Sequence, residues 1–276
     1  AAAVYALVQS DGEAAKEELD WVVARFGDQQ SFRRGGAWLL KHGFAALTEQ
    51  AARLLTPAQL ETMVLILLDL GFCDNRLSRH ELTMLEEWKR VAGMTPDRYQ
   101  HCYDTLLAGA SLGGLVREIA GELEMTGINL LCAAMLGVVQ HRPETAERRI
   151  KALERRVQSM DAINNGQTYL DQLGPEGLVT FLREMLDPAQ RRCVLANVMA
   201  EAFQDGELTP ELGAYVRLLG EGMGDDAAAF EADMRLFRLH GNTELFHEGK
   251  RPRSAVPAPI ESVANDSGVT LQSTDP

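Results

Sequence analysis

Apolar side chains recur at intervals of three and four residues along most of the chain, which is the pattern of helices with one buried face. The stripe is widest in segment 58–72, where it consists of Leu60, Met63, Val64, Leu67 and Leu68. Thr56 as N-cap and Pro57 at the first helical position predict where this helix begins. Asp187 and Pro188 predict the start of a similar helix later in the chain.

A second amphipathic helix is predicted over 79–93, with Leu82, Leu85, Trp88 and Val91 facing inward. Ser78 and Glu81 have the spacing of a capping box, and Gly93 is placed to end the helix. Segments 13–26, 144–157 and 210–222, the last capped by Thr209, are predicted to be helices as well. Since no segment alternates apolar and polar residues between turn signals, we predict an all-α fold without a sheet.

The sequence also matches itself under a shift that places Ala1 on Cys132, and we call this shift the repeat spacing. Residues 1–78 and 132–209 share about 18 identities, where chance would give about five. Beyond Ser78 the best match shifts by two residues and places RVAGMTPD (90–97) on LGEGMGDD (219–226). We interpret the chain as a tandem duplication of one helical bundle.

This repeat predicts two helical units, 1–131 and 132–247, followed by a tail. The tail, 248–276, is rich in Pro and Ser and lacks hydrophobic periodicity, so we predict that it is disordered.

Composition, charge and cysteine spacing disfavour several classes of partner and of cellular location. The chain has 276 residues, 46% hydrophobic and 24% charged, and a formal net charge of −13, which disfavours nucleic acid and anionic lipid as partners. No apolar run approaches the roughly 20 residues that span a bilayer. The four cysteines form no CxxC pair and are typical of a reducing compartment. We expect a cytoplasmic protein, while a signal or anchor upstream of Ala1 remains an open alternative.

Acidic turns separate the predicted helices in SDGEAAKEEL (10–19), CDNRLSRHEL (73–82) and QDGELTPEL (204–212). The later half of an EF-hand loop is similar, but its earlier ligand positions would fall on Leu70 and Phe72, which have no side-chain oxygen. One interpretation is a tight turn with Asp caps and a Glu in the first helical turn. The other is a weak site for Ca²⁺ or Mg²⁺.

An apolar helix, an A-x-x-DG-x-[IL]-[ST]-x-x-E turn and a second amphipathic helix resemble the tellurite-resistance TerB family. The residues that carry this resemblance are 55–94 in the first unit and 186–223 in the second. The resemblance implies tandem TerB-like bundles that act as a non-enzymatic interaction or scaffold module in a stress-response or membrane-associated complex. The alternative that it implies is a divalent-cation sensor without another cofactor, using Asp74, Glu81, Asp205, Glu207 and Glu211.

The matched helices 13–26 and 144–157 differ in charge. Residues 13–20 sum to −3 and residues 144–156 to +2, so the two helices are either solvated faces or complementary surfaces. In the second case they would join a protein partner or a second copy of the chain. The residues concerned are Glu13, Glu17 and Glu18 on one helix and Arg148, Arg149, Lys151, Arg155 and Arg156 on the other.

A further alternative concerns soft metals. Cys73, His80, His101 and Cys102 would be its ligands if the chain brings them together. No nucleophile elbow, P-loop or dinucleotide fingerprint occurs in the sequence, and we therefore predict no enzymatic activity.

Overall fold

The computed structural model describes residues 1–10, 14–26, 29–73, 77–115, 118–119, 125–224 and 226–242, without the side chains of 24–26, 29, 118, 119 and 125. This part of the chain contains twelve α-helices. They are α1 (Ala2–Val8), α2 (Lys16–Phe26), α3 (Gln29–Leu54), α4 (Pro57–Gly71), α5 (Arg79–Ala92), α6 (Pro96–Ala110), α7 (Gly127–Gln140), α8 (Ala146–Val157), α9 (Met160–Met185), α10 (Pro188–Ala202), α11 (Pro210–Gly222) and α12 (Ala227–Gly241).

The predicted all-α fold class is confirmed. Short 3₁₀ segments occur at Leu112–Leu115 and Pro143–Thr145. The strand structure in the described ranges is a single antiparallel pairing of two residues each, β1 (Glu118–Ile119) with β2 (Met125–Thr126). This pairing joins two neighbouring stretches of chain and contributes no layer to the fold.

The helix starts that were predicted from capping residues are confirmed in detail, whereas the helices predicted over 13–26 and 144–157 begin at Lys16 and Ala146. Thr56, Ser78 and Asp187 each accept a hydrogen bond from the backbone N–H three residues on. The backbone N–H of each of these N-cap residues in turn donates to the side chain of that third residue. These reciprocal bonds are capping boxes. Gly93 ends α5 in the left-handed conformation (φ 65°), as predicted. The sequence reasoning did not predict the long helices α3 and α9.

Helix positions recur along the chain at the repeat spacing. Under this shift the first and last residues of α3 fall on those of α9, and those of α4 fall on those of α10. Both long helices bend at a glycine with positive φ, and these two glycines, Gly43 and Gly174, also correspond. The structure thus has the spacing of the sequence repeat, although the duplication itself stays our interpretation.

The predicted two-residue shift after Ser78 is wrong. Left-handed Gly93 corresponds to Gly224, and the N-cap Thr95 corresponds to the N-cap Asp226, both at the unchanged repeat spacing. The shifted match aligned the letters Gly-Met in two places that have different backbone roles. Backbone conformation therefore keeps one spacing as far as the start of α12.

Matched glycines bring matched helices close together. A Cβ on Gly35 would lie 2.6 Å from the backbone N of Ala2, and one on Gly166 would lie 2.7 Å from Cβ of Cys132. Such distances are shorter than a side chain allows, so glycine permits α3 to pack on α1 and α9 to pack on α7.

Helices of the two halves also pack on each other. α6 packs on α10, and the corresponding helices α12 and α4 pack likewise. Residues Ala1–Thr243 form one compact unit by their contacts, and the predicted boundary at 131 falls inside α7. We use "first half" for 1–131 and "second half" for 132–243. The division into two domains remains a prediction, and the predicted tail 248–276 lies outside the described residues.

In the described residues, we find no helix with the length and hydrophobicity that crossing a membrane requires.

Candidate functional site

The acidic turn of the second half connects α10 to α11. Its backbone reverses at Gly206, which has a φ of 96° that favours glycine. Thr209 then caps α11 by accepting a hydrogen bond from the N–H of Leu212. This turn places Glu201, on the last turn of α10, and Asp205 on the side that faces α8.

Arg149 of α8 lies between those acidic residues, and its side chain is 0% exposed. Its guanidinium donates to Oδ2 of Asp205 (2.5 Å), to the carbonyl oxygen of Glu201 (2.8 Å) and to the carboxylate of Glu201. Its Nε donates to Oγ1 of Thr145 (2.8 Å). We name these four residues the Arg149 cluster. The guanidinium thus occupies the position at which a metal ion would have to bind these oxygens.

Arg148 adds a second positive charge to the same turn. Its Nη2 donates to Oδ1 of Asp205 at 2.8 Å, while the Arg148 side chain itself is 64% exposed. Partial burial raises the pKa of Asp205, but hydrogen bonds and charge from Arg149 and Arg148 outweigh burial and lower it overall. Asp205 is therefore an ionised carboxylate that accepts hydrogen bonds from both arginines.

The other predicted metal ligands of this half do not join the cluster. Glu211 is exposed in the first turn of α11. The Glu207 side chain, also exposed, lies 3.5 Å from Nε of Arg238, and its backbone oxygen accepts from Arg142. Across the described ranges, no three His, Cys, Asp or Glu residues converge as a metal site would require.

The first half has a different residue at the equivalent position. Glu18 corresponds to Arg149 at the repeat spacing; it is buried, and its carboxylate accepts from the backbone N–H of Ala15 at 2.8 Å. Glu81 is also buried and completes the capping box with Ser78. Predicted ligand Asp74 lies outside the described residues, as does Glu13, and Glu17 is exposed on α2.

The remaining basic residues of α8 have separate contacts. Lys151 pairs with Glu147 along the exposed face, and Arg155 donates to the carbonyl oxygen of Lys151. Arg156 donates to the carbonyl oxygen of Gly109 at 3.1 Å, which connects α8 to the end of α6 in the other half. The residues of α8 that were predicted to bind a partner therefore make contacts within the chain, and Lys151, Arg155 and Arg156 are exposed at the same time.

A polar cluster around buried Thr105 and Asp233, which the sequence reasoning missed, lies where the halves meet. Oγ1 of Thr105 donates to Oδ1 of Asp233 (2.9 Å) and accepts from Arg192 (3.0 Å), while Nε2 of His101 lies 3.1 Å from the same Asp233 oxygen. These residues come from α6, α10 and α12. These residues are far apart in sequence, with Thr105 and Asp233 separated by 128 residues, so they gave no local signal.

All four cysteines are thiols, and three are buried. Burial raises the pKa of Cys102 and of Cys193 to about 11, and that of Cys132 to about 12. Cys102 is therefore a protonated core residue, and the predicted soft-metal group of Cys73, His80, His101 and Cys102 is not assembled within the described part of the chain.

A groove is open in the first half between α3 and α5. Phe44, Met84, Val91 and Met94 contribute its apolar surface, and Glu87 and Arg90 lie along it. We call it the α3–α5 groove. Leu82, which we predicted to face inward, is 41% exposed on α5, so that prediction is wrong.

The equivalent helices of the second half pack more closely. Gly222 corresponds to Val91, and a Cβ on Gly222 would lie 2.0 Å from Cγ1 of Val179. Val179 is buried and corresponds to Thr48. Because glycine has no side chain, α11 can approach α9 at this point, whereas Val91 occupies that space in the first half.

Exposed apolar side chains show the same asymmetry. Of the seven large apolar side chains that are exposed in the described residues, six belong to the first half: Leu19, Val23, Leu40, Leu54, Leu82 and Leu107, with Met160 the exception. These six residues belong to the first half of the sequence and are distributed over α2, α3, α5 and α6.

Comparison with protein-family models, with curated proteins and with solved structures finds no match to this chain.

Proposed function

We propose that the chain is a non-enzymatic, TerB-like helical interaction module, in which the second half is closed and the first half presents the binding surface. The α3–α5 groove carries this proposal, because Val91 lines it, whereas the corresponding Gly222 lets α11 approach Val179 of α9. A role in a cytoplasmic stress-response complex, or in one at a membrane, rests on the TerB resemblance of residues 55–94 and 186–223.

The partner in this proposal is another protein or a second copy of the chain. Of the basic residues predicted to dock, Arg149 is buried and Arg148 binds Asp205. The outer face of α8 therefore offers Lys151, Arg155 and Arg156, which are exposed. Docking through α8 would depend on these three residues, and docking through the first half would depend on the groove.

The divalent-cation alternative is weaker in the second half, since Arg149 already binds Glu201 and Asp205. A metal ion would have to displace a buried guanidinium that donates to both carboxylates. In the first half, Glu81 is used in a capping box. We therefore favour the interaction module.

The experiment is affinity capture from the native host with wild-type chain and two variants. Met84→Glu introduces a charge into the α3–α5 groove, and Ala214→Glu introduces the same charge at an exposed position of α11 in the second half. We expect a partner to bind wild type and Ala214→Glu and to be lost with Met84→Glu. Equal capture by all three would contradict a binding role for the groove.

The stress-response part of the proposal has its own test. Cells that lack the chain are complemented with wild type, Met84→Glu or Ala214→Glu and are grown with and without tellurite. We expect Met84→Glu alone to fail in complementation. Normal tellurite tolerance in cells lacking the chain would contradict this part.

A further inference from the structure

The part of α3 before its bend carries positive charge without negative charge. Residues 29–42 contain Arg33, Arg34 and Lys41 and no acidic residue, in a chain whose formal net charge is −13. The corresponding residues of α9, 160–173, contain two acidic residues and no basic one. This part of α3 is therefore opposite in charge both to the whole chain and to its own counterpart.

The three cations share the outer face of the helix with an exposed leucine. Arg34 and Lys41 are seven residues apart, as are Arg33 and Leu40, and residues seven apart lie on one face of a helix. All four side chains are exposed, and Leu40, at 79%, is the most exposed large apolar residue of the described ranges. We call these four residues the cationic face of α3.

The opposite side of this part of α3 is covered by α1. Phe32 packs against Tyr5 of α1, with 5.1 Å between the ring centroids, and α1 contains no charged side chain. Within the described residues, neither Arg34 nor Lys41 forms an ion pair or a side-chain hydrogen bond. The charge of these two residues is therefore available to a partner.

The basic helix of the second half, α8, has its charge largely balanced instead. Arg148 and Arg149 bind Asp205, and Lys151 pairs with Glu147. Three of the five cations of α8 are therefore neutralised by carboxylates of the chain. On the cationic face of α3, two of the three cations have no such partner in the part of the chain that the structure describes.

We propose that the cationic face of α3 docks on an anionic lipid surface. Arg33, Arg34 and Lys41 lie among the headgroups, and Leu40 reaches the boundary with the acyl chains. Helices that lie in the membrane interface combine Lys and Arg with Leu and Trp in this way. The contact is peripheral and requires no membrane-spanning helix.

A tryptophan beside the cationic face has a position that suits this contact. Trp38, which is half-buried, stacks on exposed His42 with 4.6 Å between the ring centroids. Tryptophan is enriched at membrane–water interfaces because its ring has an apolar body and a polar N–H. In α9 the equivalent of Trp38 is buried Tyr169, and the equivalent of Leu40 is Asp171, so α9 differs at both apolar positions.

The net charge of −13 disfavours anionic partners for the chain as a whole, but it does not decide a local contact. Charges interact over only about 10 Å at about 0.1 M salt, so a bilayer that meets α3 interacts mainly with the cations nearest to it. The acidic remainder of the protein is repelled, which orients the chain with α3 towards the lipid.

Other anionic partners fit the face less well. The cores of protein interfaces are depleted of charged residues, whereas Leu40 lies among three cations. Nucleic acid would be bound through its phosphates and would leave Leu40 in water. The cationic face is separate from the α3–α5 groove, so this inference goes beyond the proposed function and does not depend on it.

The test is co-sedimentation of the full chain with vesicles of phosphatidylcholine, either alone or with about one third phosphatidylserine. Arg34→Glu with Lys41→Glu reverses the charge of the face. Lys151→Glu with Arg155→Glu is the matched control, because it changes the net charge equally at exposed positions of α8. Leu40→Ser tests the apolar contact at unchanged charge, and circular dichroism establishes that each variant is folded.

We expect wild type and the α8 variant to bind the anionic vesicles and not the neutral ones, and binding to weaken as salt is added. One cation near an anionic surface increases binding about fivefold, so the double reversal on α3 should weaken binding by about 25-fold or more. Leu40→Ser should weaken it by about tenfold. Lipids with brominated acyl chains should quench the tryptophan fluorescence of wild type, and less so that of Trp38→Phe.

Wild type that leaves the anionic vesicles unbound, or equal binding by the two double variants, would overturn the inference. Binding of wild type to double-stranded DNA or to polyglutamate, without binding to vesicles, would also overturn it and assign the face to that class of partner. Met84→Glu, which alters the groove, should bind vesicles as wild type does, so this inference and the proposed function can fail separately.

Discussion

The two halves have matching helices but differ in which helix faces are buried. In the second half, Gly222 lets α11 contact Val179 of α9, and Arg149 joins α8 to the end of α10. In the first half, Val91 and Glu18 stand at the corresponding positions, and the α3–α5 groove is open. A few side chains therefore decide whether a helix face is used for internal packing or stays exposed.

The largest expected effect comes from Arg149→Ala. The substitution removes the main cation that binds the carboxylates of Glu201 and Asp205 in a partly buried turn. Breaking a buried ion pair in this way lowers the free energy of unfolding by about 3 kcal/mol or more. The midpoint of thermal unfolding should fall by roughly 10 °C. Differential scanning calorimetry measures this change.

The matched control is Arg148→Ala, since that side chain binds the same Asp205 from a 64% exposed position. We expect it to lower the free energy of unfolding by about 1 kcal/mol at most. Equal losses for the two variants would contradict the distinction between the buried and the exposed arginine.

The next effect concerns the contact that closes the second half. Gly222→Val places a branched side chain against Cγ1 of Val179. Such overpacking lowers the free energy of unfolding by about 2 kcal/mol. Adding Val179→Ala removes the Cγ1 atom that a side chain at position 222 would meet and should recover part of the loss. Urea unfolding of both variants checks this, and a double variant no more stable than the single one would count against the explanation.

A smaller effect should depend on pH. The folded-state pKa of Asp205 is lowered, so its contribution to stability is present above the ordinary carboxylate pKa of about 3.9 and is lost as pH falls through the lower folded value. Asp205→Asn should therefore be less stable than wild type near neutral pH. Urea unfolding at several pH values should show the difference shrinking towards strong acid; a difference that is constant with pH would rule out this charge effect.

The smallest expected effect is that of divalent cations. A bound ion at 100 times its Kd would stabilise the fold by about 2.7 kcal/mol, but Arg149 already binds the acidic turn. Thermal unfolding in EDTA, Ca²⁺, Mg²⁺ or Zn²⁺ should therefore agree within error for wild type. A cation-specific increase that disappears in Asp205→Ala would favour the sensor instead.

Local signals in the sequence predicted the local features of the fold. Thr56, Ser78 and Asp187 have the spacing of helix caps, and their helices start where they were predicted. Predicting the Arg149 cluster would have required the position of α8 beside the end of α10, because Arg149 and Asp205 are 56 residues apart in sequence. Charge alone identified Arg149 as an interaction residue, but could not show that its partners are internal.

The groove was unpredictable for a related reason. A helical period gives Leu82 and Val91 of α5 the same apolar stripe, yet one is exposed and the other borders an open groove. How far α5 stands from α3 depends on the size of the side chains between them. Val91 lies there in the first half, whereas Gly222 at the corresponding position has no side chain and lets Val179 approach. Periodicity identifies a buried face but not the separation between two helices.

The buried thiols make the core a kinetic reporter. Cys102, Cys132 and Cys193 lie in α6, α7 and α10, the helices around the junction of the halves. With pKa values of about 11 to 12, fewer than roughly one in a thousand is ionised near neutral pH. A thiol reagent can therefore reach them only while the helices that cover them move apart, and the rate of labelling reports on that opening.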